Sequence, residues 1–365
     1  MAKKKKFSLR LALVLAVVFL AVGIAAGFSG YVYVTLPSES DVFVSGDLSI
    51  HFLELGNKYT GDCTYINAGG VDILIDAGSK VSSIPTLIEY LDQYVTDGIL
   101  EYVIVTHAHE DHYAGFATPE DTESIFDHFE CKTIIDFSQT NQKDDARMYN
   151  NYLRERNEEI ERGATHYTAA ECMTSGNNIF DLGNNMQLQI LDSYYYYTKD
   201  SSGENNHSVC AMINQGDQHF LFTGDLEKKG EEKLVELNEL PEVVLYKAGH
   251  HGSKTSSNEV LLEVVKPEIV CVCCCAGSPE YTDVAENQFP TQDFIDRISA
   301  YTDRVYITTL CLDYKAGTYT SMNGNIVVTS TPNGVSVACS NSDLVLKEWE
   351  WFIKNRTCPT AWKNN

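Results

Sequence analysis

Short apolar or alternating runs, punctuated by glycine and asparagine turns, recur along the chain from residue 48 onward. Residues 48–55, Leu-Ser-Ile-His-Phe-Leu-Glu-Leu, alternate with the two-residue period of a half-buried strand. Residues 63–66 and 71–76 read as two further strands, joined at the hairpin dipeptide Gly69-Gly70. Ile84, Leu87, Ile88 and Leu91 then follow helical spacing behind Ser83 and Pro85, which suit a helix start. Residues 102–106, Tyr-Val-Ile-Val-Thr, form a short β-branched run of the kind that makes a buried strand. The pattern next predicts a helix near 120–129, a strand at 133–137 and a charged surface helix or insertion within 141–162. Gly183-Asn-Asn185 turns one strand into another at 187–191, and Gln215-Gly-Asp217 joins a hairpin of 209–214 with 218–223. A strand at 243–247 and two more strand–helix alternations, with a helix near 291–301, complete the core. Strands and helices alternating through both halves predict an α/β protein, an αββα sandwich with two sheets inside and helices outside.

The N-terminus does not share this pattern. Lys3–Lys6 and Arg10 precede 18 apolar or small residues, 11–28, about long enough to span a bilayer. Residues 1–30 are expected to be a transmembrane anchor or a cleaved signal segment, with the basic flank on the cytoplasmic side and the body outside. The expected division is that segment, a linker over 31–46, one domain over 47–345 and a polar tail over 346–365.

Charge narrows the partners. The 365 residues carry a net charge of −24, and residues 1–38 hold five basic and no acidic side chains, so the remainder stands at −29. Non-specific binding to nucleic acid favours a basic surface, and this body lacks one by composition. Of the 11 cysteines, Cys271, Cys273, Cys274 and Cys275 lie in one apolar run. Strand neighbours face opposite ways, so these read as core packing rather than a zinc cluster, which would show separated pairs.

The chemistry concentrates at strand ends. Residues 107–115, His-Ala-His-Glu-Asp-His-Tyr-Ala-Gly, place His107, His109, Asp111 and His112 directly after the 102–106 strand. On an extended loop alternate residues point the same way, so His107, His109 and Asp111 can converge while His112 faces a second point. Two ligand groups from one loop predict two metal ions. Later strand ends carry Thr223-Gly-Asp225 and Gly249-His-His-Gly-Ser253, where Gly249 permits a sharp turn that presents His250 and His251. The run Tyr194–Tyr197 is either an exposed strand edge or an aromatic wall for a ligand.

These pieces resemble the metallo-β-lactamase superfamily, whose HxHxDH motif matches His107 to His112. Within it they are similar to the nuclease-like domain of competence proteins of the ComEC/Rec2 type. The matching segments are Leu53-Glu-Leu-Gly56, Gly61-Asp62, Ile75-Asp76-Ala-Gly78, Asn206-His-Ser208, Thr223-Gly-Asp225 and Lys247-Ala-Gly-His-His-Gly-Ser253, across about residues 48–340. Phosphorylcholine esterases of the same superfamily look similar too. The resemblance implies a metallo-β-lactamase-like αββα sandwich and two-metal hydrolysis. One ion would use His107, His109 and His207; the other would use Asp111, His112 and one of His250 or His251; Asp225 would bridge. Imidazole and carboxylate suit zinc, with manganese as the alternative. A bridging water would lose its proton near neutral pH. Asp111, Asp225, His251 and Lys247 are the implied catalytic residues, with Lys247 or Lys254 neutralising a phosphate and Asp62 and Asp76 orienting the histidines.

Three departures stand out. Nothing in these residues resembles the multi-helix membrane channel of the competence proteins, Phe289-Pro290 stands where they have a His-Pro element, and the spacing of His207 from Ser208 differs from the usual third-histidine motif. The expected function is a membrane-anchored, extracytoplasmic metal-dependent hydrolase acting on a phosphodiester, either nucleic acid or a small molecule. A phosphocholine-type esterase, a β-lactamase-like hydrolase and a non-catalytic metal-binding surface module are the alternatives, and no protein partner is predicted.

Overall fold

The computed structural model describes residues 48–201 and 203–363, so the expected anchor or signal segment and its linker lie outside the described residues. Among the described residues, no helix is long and apolar enough to cross a membrane. Among the described residues, sixteen strands form two eight-stranded mixed sheets. The first six belong to sheet one: β1 (Leu48–Phe52), β2 (Thr64–Ala68), β3 (Val71–Ile75), β4 (Ile99–Val105), β5 (Glu130–Asp136) and β6 (Thr165–Thr168). The next eight build sheet two: β7 (Ile179–Gly183), β8 (Met186–Ile190), β9 (Ala211–Gln215), β10 (Gln218–Phe222), β11 (Leu245–Lys247), β12 (Ile269–Ala276), β13 (Val305–Asp313) and β14 (Thr318–Ser321). The chain then returns to sheet one with β15 (Ile326–Thr331) and β16 (Gly334–Cys339), where β15 pairs antiparallel with β1.

The two-residue period explains the layers. In β12, Ile269, Cys271 and Cys273 lie in the core between the sheets, whereas Val270, Val272, Cys274 and Ala276 lie in a second core under the outer helices. A strand covered on both faces has no solvent side, which is why its sequence is continuously apolar and can use small cysteines. Phe220 and Phe222 of β10 likewise face inward, and the Phe222 ring meets Phe52 of β1 with centroids 6.4 Å apart, joining the two sheets. The segment read from composition as a polar tail is packed: Leu346, Phe352 and Trp362 are at most 2% exposed. The charged helix Arg147–Arg162 is also tied in, because its buried Glu155 accepts from Thr118 and Ser124 hydroxyls at 2.8 and 2.9 Å.

Strand direction sets where the site can be. β3 through β6 run parallel, and so do β10 through β13. Parallel neighbours deliver their following loops to one edge of a sheet, so the loops after β3, β4, β10, β11 and β12 gather. The two edges are joined by a hydrogen bond from Val209 N–H to Thr106 O, 2.9 Å.

A buried histidine away from that edge makes stability depend on pH. His51 of β1 is 1% exposed, with Nδ1 2.8 Å from Tyr90 Oη and Nε2 2.9 Å from Ser49 Oγ. Burial drives its pKa from 6.5 down to about 3. Unfolding therefore takes up a proton between those values, so the stabilisation is complete above pH 6.5 and is lost as pH falls from there toward 3. The span corresponds to several kcal/mol, on the order of 5. Urea titrations at pH 8, 6.5 and 5 should show a shallower acid loss for His51→Gln than for the wild type. Parallel curves would remove His51 as the source.

Candidate metal centre

Backbone contacts fix the histidine loop before any side chain is considered. Asp62 N–H donates to Asp111 O at 2.9 Å, Ala77 N–H to His112 O at 2.8 Å and Gly115 N–H to Ala77 O at 2.7 Å. Gly61 and Gly78 lie so close that no side chain fits: a Cβ on Gly61 would stand 2.8 Å from Asp111 O, and one on Gly78 would overlap that same oxygen. Asp76 ends β3 at φ +58°, and the two residues after Gly249, His250 and His251, adopt φ +45° and +55°. Left-handed backbone at three non-glycine residues costs roughly 1–2 kcal/mol each and points to a functional demand on those side chains.

The imidazole tautomers follow from what lies behind each ring. His112 Nδ1 is 2.8 Å from Asp76 Oδ2, and Asp76 also accepts from Thr106 N–H at 2.8 Å and the Thr106 hydroxyl at 2.7 Å. His251 Nδ1 is 2.9 Å from Cys273 O. Facing acceptors, both Nδ1 atoms carry a proton, so Nε2 is the ring nitrogen that each histidine points into the site. The two Nε2 atoms meet at Asp225, whose Oδ2 lies 3.2 Å from His112 Nε2 and 3.3 Å from His251 Nε2. Asp111 Oδ2 completes this group at 3.4 Å from His251 Nε2. On the other flank His107 Nε2 and His109 Nδ1 face each other at 3.0 Å, and His107 Nε2 is 4.0 Å from Asp225 Oδ2.

The structure sorts the remaining candidates. His250 Nε2 also stands 4.0 Å from Asp225 Oδ2, with its Nδ1 near Thr255 Oγ1 (3.1 Å) and Glu227 Oε1 (3.4 Å). Of the two adjacent histidines, His251 therefore joins Asp111 and His112. His207 turns elsewhere: its Nε2 accepts from Asp200 N–H at 2.9 Å, and its Nδ1 is 3.7 Å from Glu204. Lys247 was expected to meet a phosphate. Instead it is 3% exposed, pairs with Asp62 and donates to Gly224 O at 3.3 Å, so its charge balances buried carboxylates. Lys254 is exposed and donates to Asn287 Oδ1 at 3.0 Å. The tyrosine run does not wall this site: Tyr196 is buried with its hydroxyl on Cys210 N–H (2.9 Å), and Tyr194 lies beneath Lys233.

Asp62, His112, Asp225 and His251 have ligand atoms within 4.8 Å of one another. Within that set Asp62 faces the Nδ1 side, 3.6 Å from His112 and 3.3 Å from His251, and is taken by Lys247. Asp111 Oδ2 instead approaches His251 from its Nε2 side, at 3.4 Å. Burial opposes ionisation of Asp225, yet the adjacent His112, His251 and His250 hold it well below the usual carboxylate range. The Nε2 atoms of His112 and His251 and Oδ1 of Asp225 have no hydrogen-bond partner although they are buried. Buried polar atoms are normally paired. Orphaned donors aimed at one point, with their far nitrogens fixed, fit a divalent cation.

Two residues at this centre carried no usable sequence signal. Tyr281 donates its hydroxyl to Asp111 Oδ2 at 2.6 Å. Phe289, visible in the sequence only as a departure from His-Pro, packs its ring 5.7 Å from His250 and 5.8 Å from His251.

Histidines and aspartates from five strand-end loops, gathered where two mixed sheets meet, define a member of the metallo-β-lactamase superfamily with a candidate metal centre. The chain belongs to the family described as Anti-Pycsar protein Apyc1, whose model matches residues 55–253. It is also similar to Recombination protein 2 of Haemophilus influenzae, 27% identical over 248 residues, covering 67% of this chain and 26% of that protein. ComE operon protein 3 of Bacillus subtilis is 30% identical over 89 residues, 23% of this chain and 12% of that one. The chain thus spans about a quarter or less of the length of the curated relatives it matches. Among solved structures, the metallo-β-lactamase fold protein YhfI of Bacillus subtilis is 10% identical with a TM-score of 0.42, covering 76% of this chain and 100% of that one.

Proposed function

We propose that this protein is a dinuclear metal-dependent phosphodiesterase. The observation that carries this is the crowding of four imidazoles around one carboxylate oxygen: Asp225 Oδ2 lies within 4.0 Å of His107, His112, His250 and His251. His107, His109 and Asp225 would hold one ion, and Asp111, His112, His251 and Asp225 the other, in a donor set that suits zinc. When bound, such ions supply a hydroxide at neutral pH and withdraw charge from phosphoryl oxygens. The chain's own contribution is orientation: Asp76 and Cys273 O fix the tautomers, Asp62 and Lys247 set the charge behind the rings, and Phe289 shields His250 and His251 from water.

A phosphodiester is favoured over a β-lactam by the relatives, which include a recombination protein and a competence protein. The body charge of −29 favours a small phosphodiester over a long duplex, which it would repel. The same proposal has residues 1–30 hold the body at the outer face of a membrane, as the basic flank implies.

The test uses the purified full chain. Elemental analysis should find two ions per chain, and bis-p-nitrophenyl phosphate should turn over and stop on chelation. Single-stranded DNA, duplex DNA and p-nitrophenyl phosphorylcholine, compared under the same metal condition, then rank substrate classes. Two bound ions with no turnover of any phosphodiester would leave a metal-binding module and end the proposal.

A further inference from the structure

The segment between β12 and the helix Gln292–Ile298 crosses the metal centre and is braced independently of it. Gly277 N–H donates to Phe289 O at 2.8 Å, and Arg356 donates to Gln288 O at 2.7 Å and Pro290 O at 2.9 Å. Glu280 accepts from Thr60 N–H at 2.8 Å, which ties the same segment to the loop between β1 and β2. Tyr281 sits between these anchors. Its ring lies 5.6 Å from Phe289, and its hydroxyl reaches Asp111 Oδ2 at 2.6 Å across 170 residues of sequence. Tyr281 is otherwise 54% exposed, so little apolar burial holds it in place. The contact it makes is a short hydrogen bond to a carboxylate, the strong charge-assisted kind.

We propose that Tyr281 is a positioning residue of the metal centre: its phenol fixes the Asp111 carboxylate so that the second ligand group, Asp111 with His112 and His251, is pre-formed. The inference rests on the metallohydrolase proposal above. Asp111 needs such help more than the histidines do. Their rings are locked from behind by Asp76 and Cys273 O, whereas the Asp111 side chain is 14% exposed and has no comparable buried backing. Partners of this kind typically change metal affinity or activity by about 10–100-fold.

Tyr281→Phe removes the hydroxyl and keeps the ring against Phe289, so it tests the hydrogen bond alone. Affinity for the second ion, measured by zinc competition with a chromophoric chelator, should weaken about 10-fold, and kcat should fall with it. The melting temperature should stay within about 2 °C, as expected for a half-exposed site. Because the effect passes through Asp111, Tyr281→Phe in an Asp111→Ala background should change neither affinity nor rate further. Second-ion affinity and kcat within twofold of wild type would overturn the inference. So would a fall in kcat at unchanged affinity, which would make Tyr281 a substrate contact, or full additivity with Asp111→Ala. A wild-type chain that binds no second ion would fail the metallohydrolase proposal itself, and that outcome is read before any variant is made.

Discussion

Asp225→Asn should empty the centre of both ions and lower kcat/KM by about 10³-fold or more, roughly 4 kcal/mol of transition-state stabilisation. Among the described residues, no other carboxylate stands within 4.0 Å of all four of His107, His112, His250 and His251. Its Oδ2 is the one oxygen reached by His112 at 3.2 Å, His251 at 3.3 Å, and His107 and His250 at 4.0 Å each. Asparagine keeps the volume and the backbone bond from Asp225 N–H to Ser208 Oγ, 3.1 Å, so the loop should hold its shape. What goes is the negative charge that offsets two cations in a buried setting, where charge interactions are screened least. Elemental analysis and steady-state kinetics on the same preparation check this. Two retained ions with a near-native rate would remove Asp225 from the bridging position.

Gly78→Ala should be nearly as damaging, although Gly78 carries no functional group. A methyl there would overlap the Asp111 carbonyl and stand 2.8 Å from His112 N, both of them backbone atoms that cannot swing aside. The histidine loop must move by about an ångström, a misplacement that costs on the order of 10²-fold in rate. Overpacking of this kind also destabilises by about 1–3 kcal/mol. Gly203→Ala is the control, because an added Cβ there meets nothing within 4 Å. Loss of kcat and of the second ion in Gly78→Ala but not in Gly203→Ala is the expected pattern. Native activity in Gly78→Ala would show that the loop tolerates displacement.

Much of this centre was readable locally. The 102–106 run and the alternation of His107 and His109 mark a strand end with converging ligands, because side-chain direction in extended backbone has a period of two. Asp111 does not converge with them as the alternation predicts, because Glu110–Tyr113 turns helical and carries its carboxylate to His251. Thr223-Gly-Asp225 and Gly249-His-His-Gly-Ser253 show themselves the same way, and the order of these motifs carried the family resemblance. The alternating cores of β12 were latent in its cysteines for the same reason. Contacts across long sequence separations were not readable. The family resemblance marked Asp76 as orienting a histidine but not which one, and nothing near Asp111 says that Tyr281, 170 residues later, donates to it. Lys247 looks in sequence like an available cation, and only the approach of Asp62 from another loop makes it a buried counter-charge. His207 sits in the right region of the chain, yet its Nε2 is given to the backbone amide of Asp200. His250 and His251 are adjacent and chemically identical, and the left-handed turn together with Cys273 O decides which one joins Asp111. The sequence by itself determined which residue types stand at strand ends, since periodicity and turn chemistry act over a few residues. Which of them meet, and through which atom, was decided only when the parallel strands of two sheets brought their carboxyl edges together, because that geometry depends on packing between segments a hundred or more residues apart.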